Sequence, residues 1–562
     1  MDENPEDARI EVARYLAAGF GVDVAETAAA NAHPRGSVSK LALISKHKKD
    51  GSVKRRIIVD LLRSGANSRT TVPERIVLPR IMDVASDVQD LCETEEALWH
   101  SRGKDREDDW SFESVTCDFS DAYVHFRIRE EELEHCYSPH VIPGQLILWL
   151  FLCFGLKAAP LLFGRLAAAL GRMIQGLFDP REFRSQTYLD DPFWSLLGGR
   201  ARRQRNLSLA LLTLRALGVK VAWHKGERGQ CVTWIGVSFR MEWERRFLHL
   251  SLPSQVVEEV LAEVQGMLAS SMVGLKRLRS LTGRLSWAAG VLKRMRWSVN
   301  ILYAVLASAD ADRSNGVEDQ RRSRRQDKRD KSALVTVKRI VLPLVWIEQL
   351  FRLGGVQIVR AVPLRPQVCA WSLILDASPW GLGGVLCDRT SGVVLEFFHS
   401  SLSEADVRCL GINIGDCAAQ QIVECLTVLV AIRYWLPKFR GTQLCIEVRA
   451  DSTTALALAD KLSSTSPSVN FLGAELALAL ELADVSELRP RHVPGVLNQV
   501  ADWLSRRSAP NSKEAMPAPL LHAKERTVPL RDESYYKLPV PSATSSLWGH
   551  GAVSPLTWAT LA

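Results

Sequence analysis

The chain has 562 residues, 47% hydrophobic and 24% charged, which excludes a fibrous or wholly disordered protein and is too long for a single core. Its net charge of +8 suits an anionic partner such as nucleic acid without requiring one. The eleven cysteines are scattered without a C-x-x-C pair, so they are expected to be reduced thiols rather than a zinc site or a disulfide framework.

The acidic opening MDENPEDARIEVARYL has no basic segment followed by an apolar one, as a secretory signal would, and an intracellular location, cytoplasm or nucleus, is expected. Residues 37–61, SVSKLALISKHKKDGSVKRRIIVDL, place a Lys-rich turn at Asp50-Gly51 between two apolar runs, the pattern of a hairpin. Residues 114–128, SVTCDFSDAYVHFRI, alternate as a strand that ends near Asp118. The apolar stretch from Gln145 to Leu170 is long enough to suggest a membrane span, but Lys157, Pro160 and Arg165 interrupt it. A buried strand turning into a buried helix is expected instead, with no membrane partner. QTYLDDPFWSLL and VTWIGVSFRM read as further strands around a Leu-rich helix from about Arg202 to Leu217, and Pro253 to Ala307 has helical periodicity.

The segment from Asp310 to Ser332 is almost devoid of apolar residues and reads as a charged linker. Strand-like CAWSLILDAS, GVVLEFFHS and QLCIEVRAD then open a second mixed unit that ends near Arg507. Beyond it seven prolines and no sustained periodicity lead to an expectation of disorder.

Two sets of carboxylates carry the chemistry. Phosphoryl transfer through two Mg²⁺ requires hard oxygen ligands converging on one spot. The first set is Asp118 at a strand end with Asp190 and Asp191 in YLDD; the second is Asp376, Glu424, Asp451 and Asp502, with His492 nearby. A lone YLDD is more often a surface turn, and Asp451 before Ser-Thr could be only a helix cap. The order and spacing of several motifs decide against that reading.

Residues 40–300 resemble a reverse transcriptase. HKKDGSVKRRIIVDL resembles its fingers hairpin, which implies that Arg56 and either Lys48 or Lys49 hold the nucleotide triphosphate. CDFSDAYVHF resembles the first palm motif, with Asp118 a metal ligand and Tyr123 placed against a ribose 2′-hydroxyl. CFGLKAAPLLF supplies Phe154 and Gly155 beside the nucleotide, with Gly155 expected to let template and nucleotide approach the backbone. GVKVAWHKGERGQCVTWIGVSF supplies Lys225 and the primer-gripping Trp234 and Gly236, and LTGRLSWAAGVL resembles the helical thumb. Phe154, where retroviruses carry Gln, points to a retrotransposon of the long-terminal-repeat or DIRS-like groups. Pro192 directly after YLDD is a departure from the pattern.

Residues 365–507 resemble RNase H through LILDASPWGLGGVL, QIVECLTVLVAIRYW, IEVRADSTTAL and HVPGVLNQVADWLSR. The resemblance implies metal ligation by Asp376, Glu424, Asp451 and Asp502, with His492 assisting product departure.

The expected fold is therefore α/β (α+β): a right-hand polymerase followed by an RNase H-like mixed sheet. Its parts are a leader (1–36), fingers and palm (37–250), a helical thumb (251–309), a charged linker or connection (310–364), the RNase H-like domain (365–507) and a disordered tail (508–562). The implied activity is RNA-directed DNA polymerisation with ribonuclease H cleavage. Its partners would be an RNA template, a DNA primer, the RNA–DNA hybrid and dNTPs, and its cofactor two Mg²⁺ per site, with Mn²⁺ as a substitute. The alternative is a catalytically inactive remnant that only binds nucleic acid.

Overall fold

The computed structural model describes residues 5–539, apart from 34–35, 48–52, 103–108, 321–333, 355–357, 366–368, 440–444, 511–514, 465, 484 and 486. Lys48 and Lys49, residues 321–333 and 355–357 of the expected charged linker or connection, and the chain beyond 539 lie outside the described residues. Helices and strands are mixed throughout, as an α/β protein requires. The chain divides into two units, Met1–Ile235 with Phe239–Glu244, and Gly236–Ser238 with Arg245–Ala562.

In the first unit, strands β1 (Leu41–His47) and β2 (Val53–Val59) form an antiparallel hairpin with Leu41 opposite Val59. Alternation puts Leu41, Ile57 and Val59 on the buried side, where they meet Trp149 and Ile147. Strand β3 (Ser111–Thr116) lies at the centre of a four-stranded antiparallel sheet. Helix α1 (Ala159–Gln175), strands β4 (Phe183–Tyr188) and β5 (Asp191–Gly198), helix α2 (Arg200–Ala216) and strand β6 (Glu227–Gly229) follow along the chain. The strand order is β4-β5-β3-β6. The run Phe193-Trp194-Ser195-Leu196-Leu197 is apolar nearly throughout because β5 is buried on both faces. Trp194 and Leu196 meet Phe163, Ala167 and Leu170 of α1 and Ala210 and Leu214 of α2. The apolar stretch 145–170 is thus a strand, Gln145–Trp149, and the first part of α1, as the interrupting charges imply.

Pro192 fits this sheet. Its carbonyl accepts from the Cys117 N–H at 3.4 Å, on the β3 side. A residue's N–H and C=O point the same way in an antiparallel strand, so the missing donor faces the end of the β3 ladder, beyond Thr116 opposite Phe193. Pairing with β4 continues through Thr187 opposite Pro192 and Tyr188 opposite Asp191. Strands β7 (Cys231–Trp234) and β8 (Val237–Glu242) then form a hairpin around Ile235-Gly236, both at positive φ.

The second unit opens with helices α3 (Ser254–Leu268), α4 (Leu275–Ala288), α5 (Arg296–Gln320) and α6 (Val341–Gly354). On α3 the buried Val257, Val260, Val264 and Met267 follow helical spacing. Next come β9 (Trp371–Ser378), β10 (Gly381–Asp388), β11 (Val394–Ser401), α7 (Glu404–Leu410) and α8 (Gln420–Phe439). They are followed by β12 (Cys445–Ala450), α9 (Thr453–Lys461), α10 (Pro467–Leu482), β13 (Glu487–His492), α11 (Gln499–Ser505) and the two-residue β14 (Lys524–Glu525). The sheet order is β13-β12-β9-β10-β11-β14, with β9, β10 and β11 antiparallel and β12 and β13 parallel to β9. Helix α6 packs directly on this domain, its buried Trp346 indole donating to the Ala474 carbonyl at 3.0 Å.

Cys417–Lys438 is long and apolar enough to cross a membrane by length and composition, but Val423, Leu426, Val430 and Trp435 within it are fully buried in the protein.

Two expectations are corrected. Cys369 and Cys445 form a disulfide, their Cα atoms 4.8 Å apart where the loop before β9 meets the start of β12, so these two are not reduced thiols. Residues 515–539, expected to lack structure, are ordered: β14 pairs with β11, and Leu520, Tyr536 and Leu538 are buried. Sequence periodicity misses this strap because its anchors are single side chains at irregular spacing.

Candidate active sites

The first carboxylate site lies at one end of the β3–β5 sheet. Asp118 leaves β3 just where β5 begins, and the Phe119 N–H donates to the Asp190 carbonyl at 2.8 Å, pinning the two segments together. Leu189 and Asp190 form the two-residue turn between β4 and β5, with Leu189 at φ 53°, a left-handed conformation costly for a Leu and characteristic of functional turns. Trp234 holds this turn from beneath: its buried indole donates to the Asp191 carbonyl at 2.8 Å. The Trp234 side chain thereby fixes the Asp191 backbone.

The three carboxylates feel one another. Burial, reinforced by the charges of Asp190 and Asp118, pushes Asp191 up to about 7. Asp190 is also raised, by burial and the Asp118 charge, against its own backbone N–H. The Lys225 ammonium sits directly on the Asp118 carboxylate. Among the described residues no three Asp, Glu, His or Cys side chains are gathered tightly enough to hold a metal as they stand. The acids are nonetheless within electrostatic reach, and Asp191 and Asp118 lie within hydrogen-bonding reach of each other. A cation among these hard oxygens would relieve the burial and mutual repulsion that raise Asp190 and Asp191, and Lys225 already supplies a positive charge at Asp118.

A cavity of about 450 Å³ opens beside these acids, lined among others by Arg56, Asp118, Tyr123, Phe154, Asp190 and Lys225. The Arg56 guanidinium lies over the Phe154 ring, 5.2 Å from its centre, and Tyr123 meets the same ring edge-on at 5.0 Å. Gly155 sits at φ 114°, and a Cβ there would stand 2.0 Å from the Val59 carbonyl oxygen. The close approach it permits is to β2 of the same chain, where the Val59 N–H also donates to the Phe154 carbonyl at 2.8 Å. Gly236, at φ 85°, lets the β7–β8 turn close. Arg14 and Arg55 also line the cavity, held by Glu11 and Asp7 at 2.6 and 2.9 Å. Sequence reading missed both, because a helical Arg-Glu pair and a strand Arg have no signature apart from the fold.

The second site lies in the other unit. Asp376 is near the end of β9 and Asp451 immediately follows β12. The parallel register, Ser372 with Glu447 and Ile374 with Arg449, continues to set these two acids side by side. Burial pushes Asp376 up to about 7, a Ser505 hydroxyl bond at 2.6 Å opposes this, and Asp451, Asp502 and Glu424 add to it. Glu424 on α8 accepts from Gln420 Nε2 at 3.1 Å, whose amide also donates to the Ala377 carbonyl at 2.6 Å. Asp502 on α11 accepts from Arg506 Nε at 2.7 Å. Gly383 lets α11 settle on β10, since a Cβ there would meet the Ala501 oxygen at 2.5 Å. The buried Asn498 amide donates to the Leu375 carbonyl at 3.1 Å. His492 ends β13 opposite Ala450 and is exposed. All four predicted acids thus converge, although, as in the first site, they are not drawn into a closed ligand set.

No family model matches the chain, and no curated protein does. Solved structures do. A foamy viral protease-reverse transcriptase in complex with double-stranded DNA is 14% identical with a TM-score of 0.39, covering 87% of this chain and 82% of that one. A variant of it described as dRH, also on double-stranded DNA, matches at 14% and 0.39 over 85% of this chain and 68% of that one. The same enzyme in complex with an RNA/DNA hybrid is 14% identical with a TM-score of 0.36, over 93% of this chain and 57% of that one.

Proposed function

We propose that the chain is a retroelement RNA-directed DNA polymerase with ribonuclease H activity, its first unit carrying fingers and palm and its second unit carrying thumb, connection and RNase H-like domain. The observation that carries this reading is the occurrence, in each of two compact units, of acids close enough to act on one another, each set containing an Asp pushed up to about 7. Acids so arranged are costly unless a cation is shared. The ordered motifs around them support the same reading.

In the first unit Asp118, Asp190 and Asp191 would hold Mg²⁺, which when bound stabilises the entering and leaving oxygens of the displacement. Arg56, steadied on Phe154, would face the triphosphate, and Tyr123, fixed between Phe154 and Phe163, would stand against a 2′-hydroxyl. Lys225, which sits on Asp118 in the same cavity, would offer its ammonium to a phosphate there when Asp118 holds the metal. In the second unit Asp376, Glu424, Asp451 and Asp502 would hold the ions for attack by water on the RNA strand. There Ser505 holds one Asp376 oxygen and Arg506 one Asp502 oxygen, and His492 would assist departure of the product.

Purified chain, a primed RNA template, dNTPs and Mg²⁺ test the reading: extension is expected. Binding of the template without extension, at any Mg²⁺ or Mn²⁺ concentration, would establish the non-catalytic alternative.

A further inference from the structure

The face of the second sheet that bears Asp376 and Asp451 also bears arginines. Side chains two apart on a strand share a face about 6.6 Å apart. Glu447, Arg449 and Asp451 therefore lie in one row. Strand β13 continues the row sideways, with Arg489 opposite Glu447 and Arg491 opposite Arg449. Arg389, just past the end of β10, reaches the same point. Helix α11 covers this face over β9 and β10, where Ile374 meets Leu504. The arginine side chains keep 42% (Arg389), 27% (Arg449) and 62% (Arg491) of their exposure, while Glu447 between them keeps 6%.

Glu447 accepts from Arg389 Nε at 3.1 Å, Arg449 Nη2 at 2.9 Å and Arg491 Nη1 at 3.4 Å. Burial opposes its ionisation, but the bonds from Arg449 and Arg491 and the arginine charges hold the carboxyl below its usual range. One carboxylate does not exhaust three arginines. A guanidinium has about five N–H donors and a carboxylate accepts about four, so most donors remain for something else, and the site keeps an excess of two positive charges. The Arg449 Nε is buried without a hydrogen-bond partner. Arg489 is held apart from the group, on Glu487 at 3.1 Å.

We propose that Arg389, Arg449 and Arg491, with Glu447 as their common anchor, form a binding site for the sugar-phosphate backbone of the nucleic-acid strand that runs onto the Asp376–Asp451 pair. The inference rests on the hybrid-cleaving reading of that pair. Guanidiniums fixed by a buried carboxylate meet phosphates with little side-chain entropy left to lose, and one pleat repeat separates Arg449 from Asp451. The row would seat the hybrid with its scissile phosphate at the acids and leave the chemical step to them.

The test uses the full chain with Arg449→Gln/Arg491→Gln. Affinity for a labelled RNA–DNA hybrid is measured across salt concentrations in Ca²⁺, and hybrid cleavage and primer extension in Mg²⁺. The plot of log K against log salt should lose about 2 from its slope, one per phosphate contact. KM for cleavage should rise roughly tenfold with kcat and primer extension within about twofold, since backbone contacts here position rather than react. Glu447→Gln, which keeps all three arginines but loosens their anchor, should retain the wild-type salt slope and lower hybrid affinity less than the double variant does. An unchanged slope and KM, with only thermal stability lowered, would overturn the proposal in favour of arginines that merely neutralise Glu447 or meet an acidic protein surface. Wild-type protein that shows the arginine-dependent slope but never cleaves the hybrid would refute the cleavage reading and leave the arginine site standing.

Discussion

Replacing Arg531 by Met should unlatch the C-terminal strap. The Arg531 side chain is wholly buried and so is Asp406, which it meets through Nε at 3.0 and 2.9 Å and through Nη2 at 2.8 Å. Nη1 donates to Ser400 Oγ at 3.0 Å and Nη2 to the Ser401 carbonyl at 2.7 Å. Met fills the space but leaves the Asp406 carboxylate, among the described residues, to the Ser403 N–H and the Tyr536 hydroxyl, at 2.9 and 2.6 Å. Breaking a buried pair from one side costs about 3–5 kcal/mol, and the surviving donors place this case near the lower end. Hydrogen exchange of peptides from β11 and α7 should report opening easier by about 3 kcal/mol, roughly a hundredfold or more in protection. Arg531→Met/Asp406→Asn should lose less than the two single changes added together, because no buried charge is left. A single-variant effect below about 1 kcal/mol would refute the view that this pair latches the strap.

Gly155→Ala should reduce primer extension by at least tenfold and spare hybrid cleavage, since the Cβ would press on the Val59 carbonyl and move the Phe154 loop; equal extension would show that the loop shifts freely. Trp234→Phe keeps the packing but loses the bond to the Asp191 carbonyl, about 1 kcal/mol, and should lower the extension rate about fivefold with template affinity unchanged, read by single-turnover kinetics. Tyr123→Ala should let ribonucleotides compete with deoxynucleotides, measured as the ratio of their kcat/KM. Glu396 gives a pH signature. Burial opposes its ionisation, but bonds from Arg526, Lys438 and Trp435 prevail and hold it down to about 2, below the ordinary value of 4.5. A depressed carboxyl stabilises the fold above the unfolded pKa, and that contribution drains away as pH falls from about 4.5 toward 2. Thermal melting between pH 5 and 2.5 should therefore fall more steeply for wild type than for Glu396→Gln; parallel curves would contradict the assignment.

The strands bearing the acids were legible because their apolar alternation stops at the carboxylates: Val115 to Asp118, Leu375 to Asp376, Val448 to Asp451. Glu424 was legible from helical spacing. The reach of Trp234 to the Asp191 carbonyl was not, since it is a tertiary contact that a turn motif does not encode. Nor was the work of Gly155, whose neighbour Val59 is remote in sequence. The strap escaped for a different reason. Prolines and small residues look like disorder until single buried side chains, Arg531 and Tyr536, find partners brought near only by the finished sheet. Pairing of Cys369 with Cys445 likewise depends on which strands become neighbours.

The central claim is that two separate acid clusters perform two separate reactions, and one preparation assayed twice tests it most directly. Asp190→Asn should lower primer extension on RNA at least a hundredfold, about 2.7 kcal/mol, and keep hybrid cleavage, while Asp376→Asn should do the reverse. Extension undiminished in Asp190→Asn, or both activities lost together in either folded variant, would contradict the account.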